Sequence, residues 1–87
     1  MPAYVDRLRD WGWHRGPSCH LLADTEAELC EFAARIGLEM KWLQPTPIAH
    51  FDLTARRRTL AVHAGAIEIT FREAALLIRA QRVSLRA

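Results

Sequence analysis

Three threonines that precede helical apolar patterns constrain the fold of this chain most strongly. Thr25 and Thr70 are each followed three residues later by a glutamate, which is the capping-box pattern of a helix N-terminus. Thr54 precedes a third such segment, and Gly37 and Gly65 stand where the first two helices would end. The sequence therefore predicts three helices, at residues 25–36, 55–64 and 71–82.

Short β-prone segments separate these helices. They are Ala3–Val5, Ser18–Ala23, Met40–Gln44, Ala49–Leu53 and a very short stretch at Ile67–Ile69. Strand-forming and helical segments thus alternate along the chain, and this order is typical of α/β and α+β proteins. We expect a small, mostly parallel or mixed sheet of about four strands, covered by three helices.

Length and composition indicate one globular domain, 1–87, whose tail after about residue 82 is frayed. Apolar residues make up 51% of the chain and charged residues 25%, which excludes a disordered chain. A chain of this length buries roughly 60–65% of the surface that its unfolded state exposes. Its stability is therefore modest, and a homodimer is an open alternative to a monomer.

The sequence also bears on the location of the protein. Cys19 and Cys30 do not make a disulfide framework, and no apolar run reaches membrane-spanning length. The N-terminal segment does not resemble a signal peptide. We therefore expect a cytoplasmic protein that has no membrane partner.

Arginine supplies almost all of the positive charge. Lys41 is the single lysine among 12 basic residues, and the net charge of +2 is too small to indicate a nucleic-acid-binding protein by itself. Arginine is suited to bidentate contacts with phosphate or carboxylate groups. An arginine-rich proteome would produce the same bias, so the positions of the arginines matter more than their number.

Polar and apolar residues alternate in the segment before the second predicted helix. In an extended strand His50, Asp52 and Thr54 would share one face. Phe51 and Leu53 would then face the core. A histidine and an aspartate two positions apart suit a divalent metal ion, or a general base with its orienting carboxylate. The alternative is an edge strand with a solvated polar face.

Arg56, Arg57 and Arg58 follow directly, in the first turn of that helix. The helix dipole disfavours cations there by roughly 0.3–1 kcal/mol each. A bound anion would reverse this effect, because the free backbone N–H groups and the guanidinium groups would both stabilise it. The pattern therefore predicts an anion site that includes these arginines and Thr54. Alternatively, Arg56 and Arg58 are solvated and Arg57 pairs with an internal acid.

The spacing of Arg57 predicts an inward side chain, because this residue starts an apolar helical stripe that includes Leu60 and Ala61. An inward guanidinium group needs a partner, either Asp52, Asp6 or a bound phosphate or carboxylate. A charged residue in an apolar helical stripe departs from the local sequence pattern, and such departures are often found at functional sites.

Asp6 and His20 are candidates for the same site. Asp6 ends the first predicted strand, a common position for a metal-binding or catalytic acid, although capping of the next turn would also explain it. His20 would join Asp6, His50 and Asp52 if their strands are neighbours in the sheet. The sequence has no zinc spacing such as CxxC or HxxxH. Mg²⁺ or Mn²⁺ is therefore the expected ion if these four residues bind a metal or act in catalysis.

Three further residues are candidate ligand contacts. Gln44 precedes Pro45 at a predicted strand end, where its amide would hydrogen-bond a ligand or stabilise the turn. Trp11 and Trp13 flank Gly12 in a loop that would stack on a base or close over a site. The alternative is that the two tryptophans cover a small core or fill a dimer contact.

Six segments, taken in order, resemble a family of short bacterial and phage proteins catalogued as domain of unknown function 4031. They read AYVD, SCHLLAD, ARIGL, KWLQ, HFDLT and RR…LAVHAGAIEI, and they cover roughly residues 3–70. The positions that carry the family pattern are Asp6, His20, Asp24, Trp42, Gln44, His50, Asp52 and Arg57. Phe51 stands where the family suggests tyrosine, and Cys30 where histidine is frequent. The resemblance implies no activity, cofactor or catalytic role.

Three functions are consistent with these patterns. The preferred one is binding of a phosphorylated ligand, either a nucleotide or a nucleic-acid end, in an Arg/His/Asp pocket at a helix N-terminus. The second is a metal-dependent phosphodiesterase or other hydrolase, and the third is a structural accessory protein that dimerises. The sequence lacks a Ser–His–Asp order, a glycine-rich phosphate loop and a paired-glutamate site, which excludes the common enzyme classes built on them.

Overall fold

The computed structural model describes residues 2–86, which form a mixed four-stranded sheet and three helices. The expected fold class is thereby confirmed, as α+β. The strands are β1 (Ala3–Val5), β2 (Ser18–Ala23), β3 (Phe51–Thr54) and β4 (Ile67–Glu68). The helices are α1 (Glu26–Arg35), α2 (Ala55–His63) and α3 (Phe71–Arg86).

The order of the strands in the sheet is β3–β2–β1–β4. β2 is antiparallel to both β1 and β3, while β4 runs parallel to β1. The register sets His20 of β2 directly opposite Asp52 of β3. The three strands that carry the predicted polar residues are therefore adjacent, with β2 in the middle.

Two apolar clusters lie on opposite faces of the sheet. The first contains Val5 and Leu21 together with residues of α1 and α2. The second contains Leu22 of β2 and Ala74 of α3. Because side chains alternate along a strand, His20 lies on the same face as Leu22. Its side chain stays partly exposed, so α3 leaves this end of the face open.

The prediction of a strand at residues 40–44 is wrong. The chain forms a 3₁₀ turn at Met40–Trp42, after which Gln44 pairs with His50 in an isolated antiparallel bridge. The two backbone hydrogen bonds of this bridge are both 2.9 Å long. Pro45 and Pro47 follow, and because proline lacks an N–H group they end the pairing.

The predicted threonine caps are confirmed. Thr25 and Thr54 each accept a hydrogen bond from the backbone N–H three residues later, at the starts of α1 and α2. Thr70 makes both hydrogen bonds of a capping box with Glu73 at the start of α3. These contacts satisfy N–H groups that have no partner within the helix, and they fix the first residue of each helix.

α3 continues to Arg86, beyond the predicted end at residue 82. The expected frayed tail is therefore helical as far as it is described, and Ala87 lies outside the described residues. Gln81 holds the helix to the sheet, because its side-chain amide donates to the carbonyl group of Ala23. None of the helices formed by the described residues is long and apolar enough to cross a membrane.

Candidate metal centre

Polar residues from three adjacent strands meet on the sheet face opposite α1 and α2. Asp6 follows β1 and His20 lies in β2. His50 precedes β3, and Asp52 lies within it. The sequence predicted that these four residues meet if their strands are neighbours in the sheet. In the observed strand order they are neighbours. Alternation along β2 turns His20 towards this site and Cys19 into the core.

Asp6 holds His20 in one orientation. The Asp6 residue is only 1% exposed, and both of its carboxylate oxygens accept hydrogen bonds from His20. One comes from the backbone N–H and the other from Nδ1 of the ring, each over 2.7 Å. The ring bond with Asp6 raises the pKa of His20 above its ordinary value, while burial of the ring opposes this effect. With its proton on Nδ1, the neutral ring presents a lone pair at Nε2.

His50 is oriented in the same way by the backbone. Its Nδ1 lies 2.9 Å from the carbonyl oxygen of Ile48. A carbonyl oxygen can only accept a hydrogen bond, so Nδ1 of His50 must carry a proton. In the neutral ring the lone pair is then on Nε2, which faces Asp52.

Asp52 completes the group with a carboxylate of which one oxygen is held in place. Its Oδ2 accepts a 2.7 Å hydrogen bond from the side-chain amide of Gln44. The other oxygen, Oδ1, lies 4.0 Å from Nε2 of His20 and 3.8 Å from Nε2 of His50. Both distances are too long for hydrogen bonds. Gln44, predicted to hydrogen-bond a ligand or to stabilise the turn, thus donates to Asp52.

We call His20, His50 and Asp52 the triad. Their potential ligand atoms all lie within 4.8 Å of one another. Two imidazole nitrogens and one carboxylate oxygen therefore surround one point without satisfying each other by hydrogen bonds. Metal–ligand bonds of about 2.0–2.2 Å would draw the three side chains together. Asp6 was predicted as a metal ligand, but both of its carboxylate oxygens are hydrogen-bonded to His20 on the side away from Nε2.

The tryptophan loop lies next to the triad. A cavity of about 300 Å³ is lined by the triad together with Trp11, Trp13 and Ser18. The ring centroids of Trp11 and His20 are 6.2 Å apart. The loop thus borders the triad and lies outside the main apolar cluster. Its stacking on a base or closure over a site stays a prediction.

A second cavity of about 450 Å³ adjoins the first and shares Trp13 and Asp52 with it. Its lining includes three cationic side chains, Arg15, Lys41 and Arg57. We call it the cationic cavity. A ligand that fills this cavity would lie within reach of an ion held by the triad.

The three arginines of α2 have different positions. Arg57 lines the cationic cavity, and its guanidinium carbon lies 4.6 Å above the ring centroid of Trp42. Arg56 is exposed. Arg57 was expected to point inward along the sheet, but its guanidinium group lies over the ring of Trp42. Leu60, expected in the same apolar stripe, is 49% exposed.

Arg58 is the arginine that turns inward. Its Nε donates to the backbone carbonyl of Asp6 over 2.9 Å, and a terminal nitrogen donates to Glu68 over 3.0 Å. It lies one turn before Ala61, which is fully buried, so helix phase directs it towards the sheet. Arg58 therefore contacts the backbone of Asp6 and does not line the cationic cavity. The side chain of Thr54 caps α2.

Sequence reasoning missed several contributors to the site. Arg15 and Lys41 line the cationic cavity, and the carbonyl group of Ile48 orients His50. A backbone carbonyl leaves no signal in residue identity. Arg15 comes from the loop after the tryptophans, and its placement depends on a fold that the local pattern does not specify.

Comparison with known proteins agrees with the resemblance seen in the sequence. A family model described as "Protein of unknown function (DUF4031)" matches residues 3–81, a span that includes the whole triad. Comparison with curated proteins and with solved structures finds no match. The chemistry of the site must therefore be inferred from its geometry.

Proposed function

The chain belongs to the DUF4031 family of proteins of unknown function, and from that premise we propose that it is a divalent-metal-dependent phosphodiesterase. His20, His50 and Asp52 would hold the ion. The sequence alone favoured binding of a phosphorylated ligand over hydrolysis. The arrangement around the triad reverses that order of preference.

One observation carries the proposal: each member of the triad is oriented by an outer partner. Asp6 fixes His20, the Ile48 carbonyl fixes His50, and Gln44 fixes Asp52. Metal-binding histidines in proteins characteristically donate their other ring N–H to a carboxylate or carbonyl group. The triad would therefore supply three ligand atoms, each already held in position by a neighbouring group.

The donor set favours particular ions. Two imidazoles and one carboxylate suit manganese, zinc or iron(II) better than magnesium, which prefers oxygen ligands. Of the two ions expected from the sequence, the triad thus favours Mn²⁺. The carboxylates of Asp52 and Asp6 together balance the charge of a divalent ion.

Three protein ligands leave coordination positions for water and substrate, as in catalytic rather than structural metal sites. An ion held by these residues would lower the pKa of a bound water and polarise a phosphodiester. In such a hydrolysis a water oxygen would form a bond to phosphorus while the bond from phosphorus to the leaving oxygen breaks. The leaving oxygen would keep the electron pair and take up the proton that the water gives to the solvent, so one water molecule would be consumed per diester.

The first test is titration of metal-free protein with MnCl₂ by calorimetry. We expect one ion per chain for the unmodified protein and loss of binding in His50→Ala and Asp52→Asn. His63→Ala is the matched control, because His63 is exposed at the end of α2 and outside the triad. Equal binding by all four proteins would place the ion elsewhere and contradict the metal centre.

Hydrolysis is tested separately with bis(p-nitrophenyl) phosphate. We expect release of p-nitrophenolate with Mn²⁺, inhibition by EDTA, and loss of activity in Asp52→Asn. Metal binding without turnover would reject the phosphodiesterase and favour the second candidate, a protein that binds a phosphorylated ligand. The cationic cavity next to Asp52 is the observation that supports this second candidate.

A further inference from the structure

We propose that the cationic cavity binds the nucleotide unit of the substrate, with the base stacked on the Trp42–Arg57 pair. The base site follows from the cavity itself. The position of the reacting phosphate, at the edge shared with the triad, rests on the proposed function. The inference names a class of substrate for the centre, one in which a phosphodiester is attached to a flat aromatic group.

The charge of the cavity selects an anionic ligand. Its cationic side chains come from three separate segments: Arg15 from the loop before β2, Lys41 from the 3₁₀ turn and Arg57 from α2. Asp52 is the acidic residue among the lining side chains. Lys41 also lies 3.6 Å from Glu39, outside the lining, so Arg15 and Arg57 carry most of the positive charge. An ion held by the triad would neutralise the Asp52 carboxylate and leave a concave surface of positive potential. Phosphate oxygens are natural partners for such a surface.

The aromatic groups of the cavity select a flat ligand. The Arg57 guanidinium carbon lies 4.6 Å from the centroid of the Trp42 ring, and that of Arg15 lies 5.8 Å from the centroid of Trp13. Planar guanidinium groups and indole rings are the surfaces on which proteins stack unpaired bases. Phosphate alone needs neither tryptophan. A ligand that uses both the charge and the stacking surfaces is a nucleotide.

The arrangement of the two cavities fits this ligand. Trp13 and Asp52 belong to both linings, so a phosphate at their boundary would contact the ion on one side and Arg57 on the other. The volume of about 450 Å³ lies within the usual range for small-molecule sites. One nucleotide unit can therefore occupy the cationic cavity while its phosphodiester reaches the triad.

Two kinds of ligand have these features, a free nucleotide and the end of a single-stranded nucleic acid. Both present one base with an attached phosphate. Binding of AMP and of a 5′-phosphorylated thymidylate hexamer, measured side by side, distinguishes them. Tighter binding of the hexamer identifies a strand end, and equal binding identifies a free nucleotide; either result supports a base site if it depends on Trp42.

The test measures these affinities by calorimetry in EDTA, so that the result does not depend on the metal centre. Ribose 5-phosphate and inorganic phosphate are the probes without a base. We expect AMP or the hexamer to bind at least about tenfold more tightly than ribose 5-phosphate, and Trp42→Leu to abolish this difference. Trp42→Phe should retain part of it, which shows that the loss is one of stacking and not of folding.

Arg57→Gln and Arg56→Gln form a matched pair of neighbouring substitutions. We expect Arg57→Gln to weaken nucleotide binding about tenfold and Arg56→Gln, at an exposed position outside the cavity, to leave it unchanged. Equal affinity for AMP, hexamer and ribose 5-phosphate would overturn the base site even if the triad binds Mn²⁺. Conversely, base-dependent binding with no Mn²⁺ binding would uphold the base site and reject the metal centre.

Discussion

Asp6 and Arg58 hold the triad in place without belonging to it. Arg58 donates to the backbone carbonyl of Asp6, and so connects α2 to the end of β1. The carboxylate of Asp6 in turn accepts both the backbone and the ring N–H groups of His20. A buried carboxylate that lost these partners would be strongly disfavoured, so the orientation of His20 and the stability of the strand end are coupled.

The first prediction concerns Asp6→Asn in metal-free protein. The hydrogen bond with Asp6 raises the pKa of folded His20 above its usual value of 6.5, so protonation of His20 favours the folded state. This contribution is fully present below about pH 6.5 and decreases as the pH rises through the raised pKa of His20. We expect Asp6→Asn to lower the free energy of unfolding most at the acidic end and less at higher pH. Urea unfolding in EDTA at a series of pH values measures the difference.

Asp10→Asn is the control for this series. Asp10 accepts a hydrogen bond from the backbone N–H of Gly12 in an exposed loop, and among the described residues it forms no hydrogen bond or ion pair with a histidine. Its effect on stability should not vary over the pH range in which His20 titrates. A pH-independent difference for Asp6→Asn would contradict the conclusion that Asp6 raises the pKa of His20. An NMR titration of His20 would then show whether its pKa is raised at all.

At the scale of whole elements, the helices were predictable because their signals are local. A threonine cap and a following glutamate act within one turn, so Thr25 and Thr70 marked helix starts that the structure retains. The segment at residues 40–44 has an apolar, strand-like composition, yet it forms a 3₁₀ turn. Whether such a short segment pairs depends on its surroundings in the complete fold, and here only Gln44 pairs, in an isolated bridge with His50.

The second prediction compares two threonine substitutions in helices. Thr25→Ala removes the side chain that accepts the N–H of Glu28, and we expect a loss of about 1 kcal/mol in the free energy of unfolding. Thr59→Ala is the matched control, because the Thr59 hydroxyl donates to the Ala55 carbonyl within α2 and caps nothing. Alanine has the higher helix propensity there, so Thr59→Ala should be neutral or slightly stabilising. Chemical unfolding measures both; equal losses would show that the cap of α1 contributes nothing specific.

At the scale of the whole molecule, the candidate site is a product of strand order. The sequence supplied its residue types and showed that His50 and Asp52 share a face. It did not specify that β2 lies between β1 and β3, and this arrangement brings Asp6 and His20 to Asp52. Nor did it show which arginine turns inward, because helix phase relative to the sheet decides between Arg57 and Arg58. Long-range pairing is set by the energy of the complete fold, which local patterns do not contain.

The last prediction is that the metal ion stabilises the complete fold. The triad joins residues from β2, β3 and the segment before β3, so the ion would bind the folded chain and not the unfolded one. At an ion concentration of 100 Kd the gain is about 2.7 kcal/mol. For a chain of this size that corresponds to a rise in Tm of roughly 10–20 °C. Thermal unfolding with increasing MnCl₂ should show this rise for the unmodified protein and for Asp10→Asn, and none for Asp52→Asn. Because the dependence on concentration follows from mass action, a Tm that stays constant up to millimolar Mn²⁺ would show that the triad is an internal polar cluster and not a metal centre.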